Sequence, residues 1–137
     1  ISYDPALNLV YYGTANPGPW NAEQRPGDNK WTAGIFARDP DTGEAIWFHQ
    51  WSPHDLWDYD GVNEQILLDL PVGGRVRQVL IRPERNGYMY VLDRRTGEIL
   101  SFARGGVADV RTDAPELEVL FSDGVRTSSR RVRVRPN

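Results

Sequence analysis

Twelve residues, Pro53-His54-Asp55-Leu56-Trp57-Asp58-Tyr59-Asp60-Gly61-Val62-Asn63-Glu64, hold four acids, two aromatic rings, a histidine and an asparagine, with no basic residue. From position 39 to position 69 there are eight Asp or Glu and no Lys or Arg. Carboxylates crowded in this way repel one another unless they splay into solvent or face a cation. Two readings follow: a solvated acidic loop, or an oxygen-rich corner for a hard metal ion. Trp57 and Tyr59 alternate with Asp58 and Asp60. In an extended segment that alternation predicts both carboxylates on one face and both rings on the other. His54 and Asp55 read as groups that brace the loop, and His49 and Glu64 as structural.

A chain of 137 residues is one domain's worth at most. Its 13 Gly and 10 Pro make it loop-rich, while five Trp and six Tyr suit β-structure and ring-lined sites. There is no Cys, which excludes a disulfide frame, a thiolate zinc cluster and a thiol nucleophile from this chain. No apolar run approaches the ~20 residues of a membrane span, and Ile1-Ser2-Tyr3-Asp4 lacks a signal-peptide pattern. The chain does not open on Met, as expected of an internal segment or a processed product. Residues 122–137 carry five Arg and one Asp, or +4, so the net charge of −3 leaves −7 on the rest. A net-acidic body excludes nucleic acid as the expected partner.

The elements that must position the acidic stretch are short strands. Leu7 to Thr14 reads as a strand after the turn residues Asp4-Pro5, and Ala15 to Lys30, with three Pro and two Gly, as a long ordered loop. Further strands are expected at 33–38, 44–50, 65–70, 76–82, 88–92 and 98–100, with Asn86-Gly87 supplying a tight turn. Asp39-x-x-Thr42-Gly43-Glu44 returns 54 residues later as Asp93-x-x-Thr96-Gly97-Glu98, each copy between two strands. In such a turn the Asp carboxylate accepts from backbone N–H groups, the Thr hydroxyl ties the bend and Gly takes the left-handed position. A strand-turn-strand repeat of about 50 residues points to four-stranded propeller blades. No amphipathic helix is expected. In the tail, 116–121 and 131–135 pattern as strands, but 103–137 matches no motif.

Four stretches carry a family resemblance: Gly13-Thr14-Ala15-Asn16-Pro17-Gly18-Pro19-Trp20-Asn21, Arg25-Pro26-Gly27-Asp28-Asn29-Lys30-Trp31-Thr32, Pro53 to Asp60, and Pro83-Glu84-Arg85-Asn86-Gly87. In this order and spacing they resemble the pyrroloquinoline-quinone (PQQ)-dependent alcohol dehydrogenases, quinoproteins of the methanol/ethanol dehydrogenase type. The resemblance covers residues 1 to about 102 and leaves 103–137 as a divergent or partly disordered tail. It implies an all-β fold, about two blades of an eight-bladed β-propeller, with the Asp-x-x-Thr-Gly turns as its tryptophan-docking repeats.

The same resemblance implies roles. Asn16 stands where the family supplies an oxygen to the metal beside the cofactor, and Asp58 at the catalytic carboxylate, which also touches the metal. Arg85 stands where a guanidinium binds the reactive quinone oxygen, and Trp20 at a ring bordering the substrate cavity. Asp60 matches the extra carboxylate of lanthanide-using members; one more anionic ligand suits a trivalent ion better than calcium. The implied activity is periplasmic oxidation of a small primary alcohol to the aldehyde, with hydride passing to PQQ and electrons to a cytochrome c. The family's Glu metal ligand and adjacent-cysteine disulfide are absent from this chain, so the segment alone is expected to be inactive. The alternatives are a non-catalytic propeller scaffold and a truncated inactive product.

Overall fold

Period-two patterning builds two four-stranded antiparallel sheets. In the first, β1 (Ser2–Asp4), β2 (Leu9–Gly13), β3 (Gly34–Arg38) and β4 (Ala45–Gln50) pair in chain order. The second repeats the plan with β5 (Ile66–Val72), β6 (Arg75–Pro83), β7 (Tyr88–Asp93) and β8 (Ile99–Arg104). A separate hairpin pairs β9 (Glu116–Ser122) with β10 (Thr127–Arg133). The computed structural model describes residues 1–59, 61, 63–72, 74–104, 116–122 and 127–133, from 103 onward through the backbone only. Among them no helix is long and apolar enough to cross a membrane.

Strand β1 is an addition to the sequence reading, which took Asp4-Pro5 only as a turn. Asp4 does both jobs: it pairs with Leu9 across the hairpin, and its carboxylate accepts from the N–H groups of Ala6 (3.0 Å) and Leu7 (3.3 Å). Strand β5 runs through Pro71, which an edge strand tolerates because no ladder bond is needed on its open side.

Alternate residues divide between the two faces of each sheet. Ile35 and Ala37 of β3 join Leu9 and Tyr11 of β2, and these pack with Trp51 and with Leu80, Tyr90 and Leu92 of the second sheet. One apolar core therefore joins the two sheets. Phe36 points the other way, 5.7 Å from the ring of Tyr12 and 4.6 Å from that of Phe48. The second sheet is apolar on its far face too, where Leu70, Val79, Ile81 and Val91 cluster. Sheets with two apolar faces belong between neighbours, as stacked blades do.

The 54-residue repeat is reproduced bond for bond. Asp39 accepts from the N–H groups of Asp41 (2.8 Å) and Thr42 (3.2 Å), and Asp93 from those of Arg95 (3.0 Å) and Thr96 (3.2 Å). Each threonine hydroxyl accepts from the following Glu N–H, at 3.2 and 3.3 Å. Both hairpins shift register at the same place, between Ala37 and Arg38 and between Val91 and Leu92. Trp47 then docks on the second turn. Its Nε1 donates to the Arg94 carbonyl at 3.0 Å, and a Cβ on Gly97 would lie 2.7 Å from its ring. The Tyr11 hydroxyl donates to the same carbonyl at 3.0 Å, and burial, aided by the charge of Asp4, pushes its pKa up. Arg94 itself meets the buried Asp4 at 3.2 Å. Ser101, 54 residues beyond Trp47, takes the equivalent place in the second sheet.

Candidate functional site

In an antiparallel meander, alternate connections leave from the same end. The β2–β3, β4–β5 and β6–β7 connections therefore share one end of the two sheets, opposite the repeated turns. Every residue singled out from the sequence for chemistry lies in one of these three connections. Hydrogen bonds tie them together.

The β2–β3 connection holds Asn16 and Trp20. Its base is closed where Ala33 N–H donates to Ala15 O (2.9 Å) and Trp51 N–H to Ala33 O (2.8 Å). Its only regular element is a 3-10 turn at Ala22–Gln24, capped by Asn21, whose side chain accepts from Glu23 N–H. Arg25, buried within this loop, spreads its guanidinium over neutral acceptors. It donates to Pro19 O (2.8 Å), to Asn29 Oδ1 (2.6 Å) and, across to the next connection, to Asp55 O (2.8 Å). His54 makes a second bridge, with Nδ1 donating to Gly27 O at 2.7 Å and its backbone N–H to Asp28 O at 3.0 Å.

Over residues 53–59 the acidic stretch is a wound loop and not an extended segment. His54 and Asp58 have φ of 49° and 63°, in the left-handed region where a side-chain-bearing residue is strained by roughly 1–3 kcal/mol and must be held. Asp55, fully buried, does the holding. Its Oδ1 accepts from Trp57 N–H (3.0 Å) and its Oδ2 from Tyr59 N–H (2.8 Å), so the N–H groups of both residues flanking Asp58 are held. The rings of Trp57 and Tyr59 stack at 5.8 Å. They end together as the alternation suggested, by a tight bend instead of a pleat.

Arg85, on the β6–β7 turn, donates from Nη1 to the Asp58 carbonyl at 3.1 Å. The link runs to the backbone of Asp58, which leaves the exposed carboxylate without a hydrogen bond among the described residues. The adjacent Asn86 joins the same turn to Trp51 O at 3.3 Å and to the Tyr90 hydroxyl at 2.8 Å. The structure thus brings Asp58 and Arg85 together directly. Trp20, 57% exposed, is held at the same end by Arg25, whose Nη2 donates to its carbonyl at 3.4 Å, and the half-buried Asn16 lies in the same connection. Asp60 lies outside the described residues. Among the described residues no three His, Cys, Asp or Glu side chains converge as a metal cluster.

Residues 1–104 match the profile of the PQQ-dependent glucose/ethanol/alcohol dehydrogenase β-propeller domain. The chain belongs to this family. Over 100 residues it is 64% identical to the lanthanide-dependent methanol dehydrogenase of Methylacidiphilum fumariolicum, a match covering 72% of this chain and 16% of that protein. It is 54% identical over 101 residues to methanol dehydrogenase [cytochrome c] subunit 1 of Methylorubrum extorquens, covering 73% of this chain and 16% of that one. Among solved structures, a europium-containing methanol dehydrogenase superposes with a TM-score of 0.72 at 60% identity, over 75% of this chain and 18% of that chain. The chain thus spans about a sixth of the length of these quinoprotein relatives.

Within the family's propeller domain, this segment contributes two stacked sheets and three tied connections. Sequence reasoning missed Arg25, Arg82, Glu84 and Asn63 as site-building residues. Arg82 carried a signal, because on β6 it falls on the same face as the core residue Leu80. Arg25 opens one of the four family stretches, but nothing there marks it as buried, since buried arginines are rare and its partners are carbonyls scattered along the chain.

Proposed function

We propose that this segment is part of a PQQ-dependent alcohol dehydrogenase that oxidises a small primary alcohol to the aldehyde in the periplasm and passes electrons to a cytochrome c. The observation that carries the proposal is the Arg85–Asp58 link. It ties the Arg85 guanidinium to the backbone of Asp58, whose carboxylate makes no hydrogen bond among the described residues, on a loop whose strained backbone is clamped by Asp55. A scaffold needs no such expense. The chain's similarity to a lanthanide-dependent methanol dehydrogenase and to a methanol dehydrogenase [cytochrome c] subunit supports this substrate class, metal and acceptor.

The donor chemistry of this chain fits a hard cation in part. Asn16 Oδ1 and the Asp58 carboxylate are oxygen donors without hydrogen bonds among the described residues. A calcium-sized ion takes roughly 6–8 oxygens, so Asp60 and groups beyond this chain complete the set. Asp60, as a further anionic ligand, favours a lanthanide over calcium. When bound, PQQ supplies the two-electron acceptor and the cation its Lewis-acid polarisation.

The remaining work falls to these side chains. The Asp58 carboxylate takes the hydroxyl proton of the alcohol as general base while the carbinol carbon releases hydride. Arg85 provides a fixed positive charge for the anionic charge that develops beside it. The exposed ring of Trp20 is placed to wall the alcohol cavity once the further blades of an eight-bladed ring close over it. The test is a europium luminescence titration of the metal-free full-length protein that carries this segment. Saturable binding at one site, weakened at least 10-fold by Asp58→Asn and by Asn16→Ala, is expected. Binding unaltered by both substitutions refutes the assignment.

A further inference from the structure

Arg82 is the largest fully buried side chain of the described residues, at 0% exposure, and none of the roles above uses it. A sealed guanidinium needs partners for each of its nitrogens. Nε donates to Glu84 Oε2 at 2.8 Å, with both side chains fully buried, and Nη2 donates to Gly61 O at 2.6 Å. The Trp51 ring lies 5.4 Å from its central carbon. Glu84 continues the chain of contacts, its Oε1 accepting from Arg85 N–H (3.0 Å) and from Asn63 Nδ2 (3.2 Å). Asn63 donates as well to Pro83 O at 2.9 Å.

One buried ion pair therefore touches the acidic loop at Gly61 and Asn63 and the opposing turn at Arg85. We infer that Arg82 and Glu84 are a positioning pair, which fixes the distance between the Asp58 loop and the Arg85 turn. The catalytic meaning of that distance rests on the function proposed above; the positioning itself does not. Stability alone is a poor reason for the pair, because well-packed apolar residues commonly replace a buried ion pair without loss. Among the described residues the site also leaves two donors, Arg82 Nη1 and Trp51 Nε1, buried without a hydrogen-bond partner, which a core built only for stability avoids. The approach is close enough to dictate residue type: a Cβ on Gly61 would collide with Arg82 Nη2 and Glu84 Oε2.

The test compares Arg82→Met/Glu84→Met and Arg82→Lys with the parent, each in the full-length protein that carries this segment, by hydrogen exchange read by mass spectrometry. The double substitution is expected to leave exchange over β3 unchanged and to speed it at least 10-fold over residues 57–61. Lysine keeps the charge but not the fork that reaches Glu84 and Gly61 together, so it should give an intermediate rate. In the full-length protein the double variant should lower kcat at least 10-fold with KM for the alcohol changed less than 3-fold. Parent-like exchange over 57–61 in a folded double variant overturns the inference. So does failure of both variants to fold, since the pair is then a folding determinant. Faster exchange at 57–61 in a full-length protein without activity upholds the positioning and removes only the functional reading.

Discussion

The contact that locks the two sheets gives the sharpest energetic prediction. Trp47 places its ring against Gly97, 5.7 Å from the ring of Tyr11, and its Nε1 donates to Arg94 O at 3.0 Å. Truncating a buried Trp to Ala costs about 3–5 kcal/mol. Trp47 is half-buried, so Trp47→Ala should cost about 2–3 kcal/mol, of which the hydrogen bond is ~1 kcal/mol. Gly43 provides an internal control. It has the same φ of 74° as Gly97, but a Cβ there meets nothing within 4 Å, whereas at Gly97 it meets the Trp47 ring. Gly43→Ala therefore incurs only the left-handed backbone strain, about 1–2 kcal/mol. Gly97→Ala incurs that strain and also displaces the ring, for about 1–2 kcal/mol more. Removing the ring first should make the methyl tolerable, so the Trp47→Ala/Gly97→Ala pair should be less destabilising than the sum by about 1 kcal/mol or more. Urea unfolding of the chain, followed by circular dichroism, measures all four. Equal costs at Gly43 and Gly97, together with additivity within about 0.3 kcal/mol, would refute the docking account.

Two titrating groups give pH predictions of known sign. Burial works against ionised Asp93, but hydrogen bonds from Arg77 and from the N–H groups of Arg95 and Thr96 outweigh it and hold its carboxyl below the usual 3.8. That stability is complete above pH 3.8 and is lost as pH falls through the lower folded-state value, so Asp93→Asn should flatten the acid limb of the stability curve. Burial lowers the pKa of His49, whose ring lies tilted 4.5 Å from that of Trp51, which favours the neutral ring in the folded chain. Stability should fall as pH drops below 6.5, where the unfolded chain takes up the proton first, and His49→Phe should remove that slope in the same urea series.

Much of the architecture was legible because strands that alternate along the chain must alternate in space. Ile35, Phe36 and Ala37 show it: each falls on the face that period two assigns. The repeated turn was legible to the level of single hydrogen bonds, since Asp, Thr and Gly satisfy that bend locally. Which ring docks on which turn was not, because the Trp47–Arg94 contact spans 47 residues and depends on how the sheets stack. The acidic stretch was legible as a loop, but its winding was not. Its Asp-Tyr-Asp alternation mimics a strand, but the buried Asp55 carboxylate, taken only as a brace, bends the backbone into the left-handed region at Asp58. Glu84 lies in one of the four family stretches and Arg82 two residues before it, but nothing there marks the two as a pair. Their importance comes from Gly61 and Asn63, some 21 residues upstream.

We propose above that the end of the sheets carrying Asp58 and Arg85 forms part of an alcohol-oxidising site. The most direct test is alcohol-dependent reduction of an artificial electron acceptor by the full-length protein, reconstituted with PQQ and a lanthanide. The account predicts turnover of a small primary alcohol that falls at least 100-fold in Asp58→Asn, an effect of the size expected for loss of a general base. Turnover equal to the parent's in Asp58→Asn, or no turnover by a parent that binds both PQQ and europium, would contradict it.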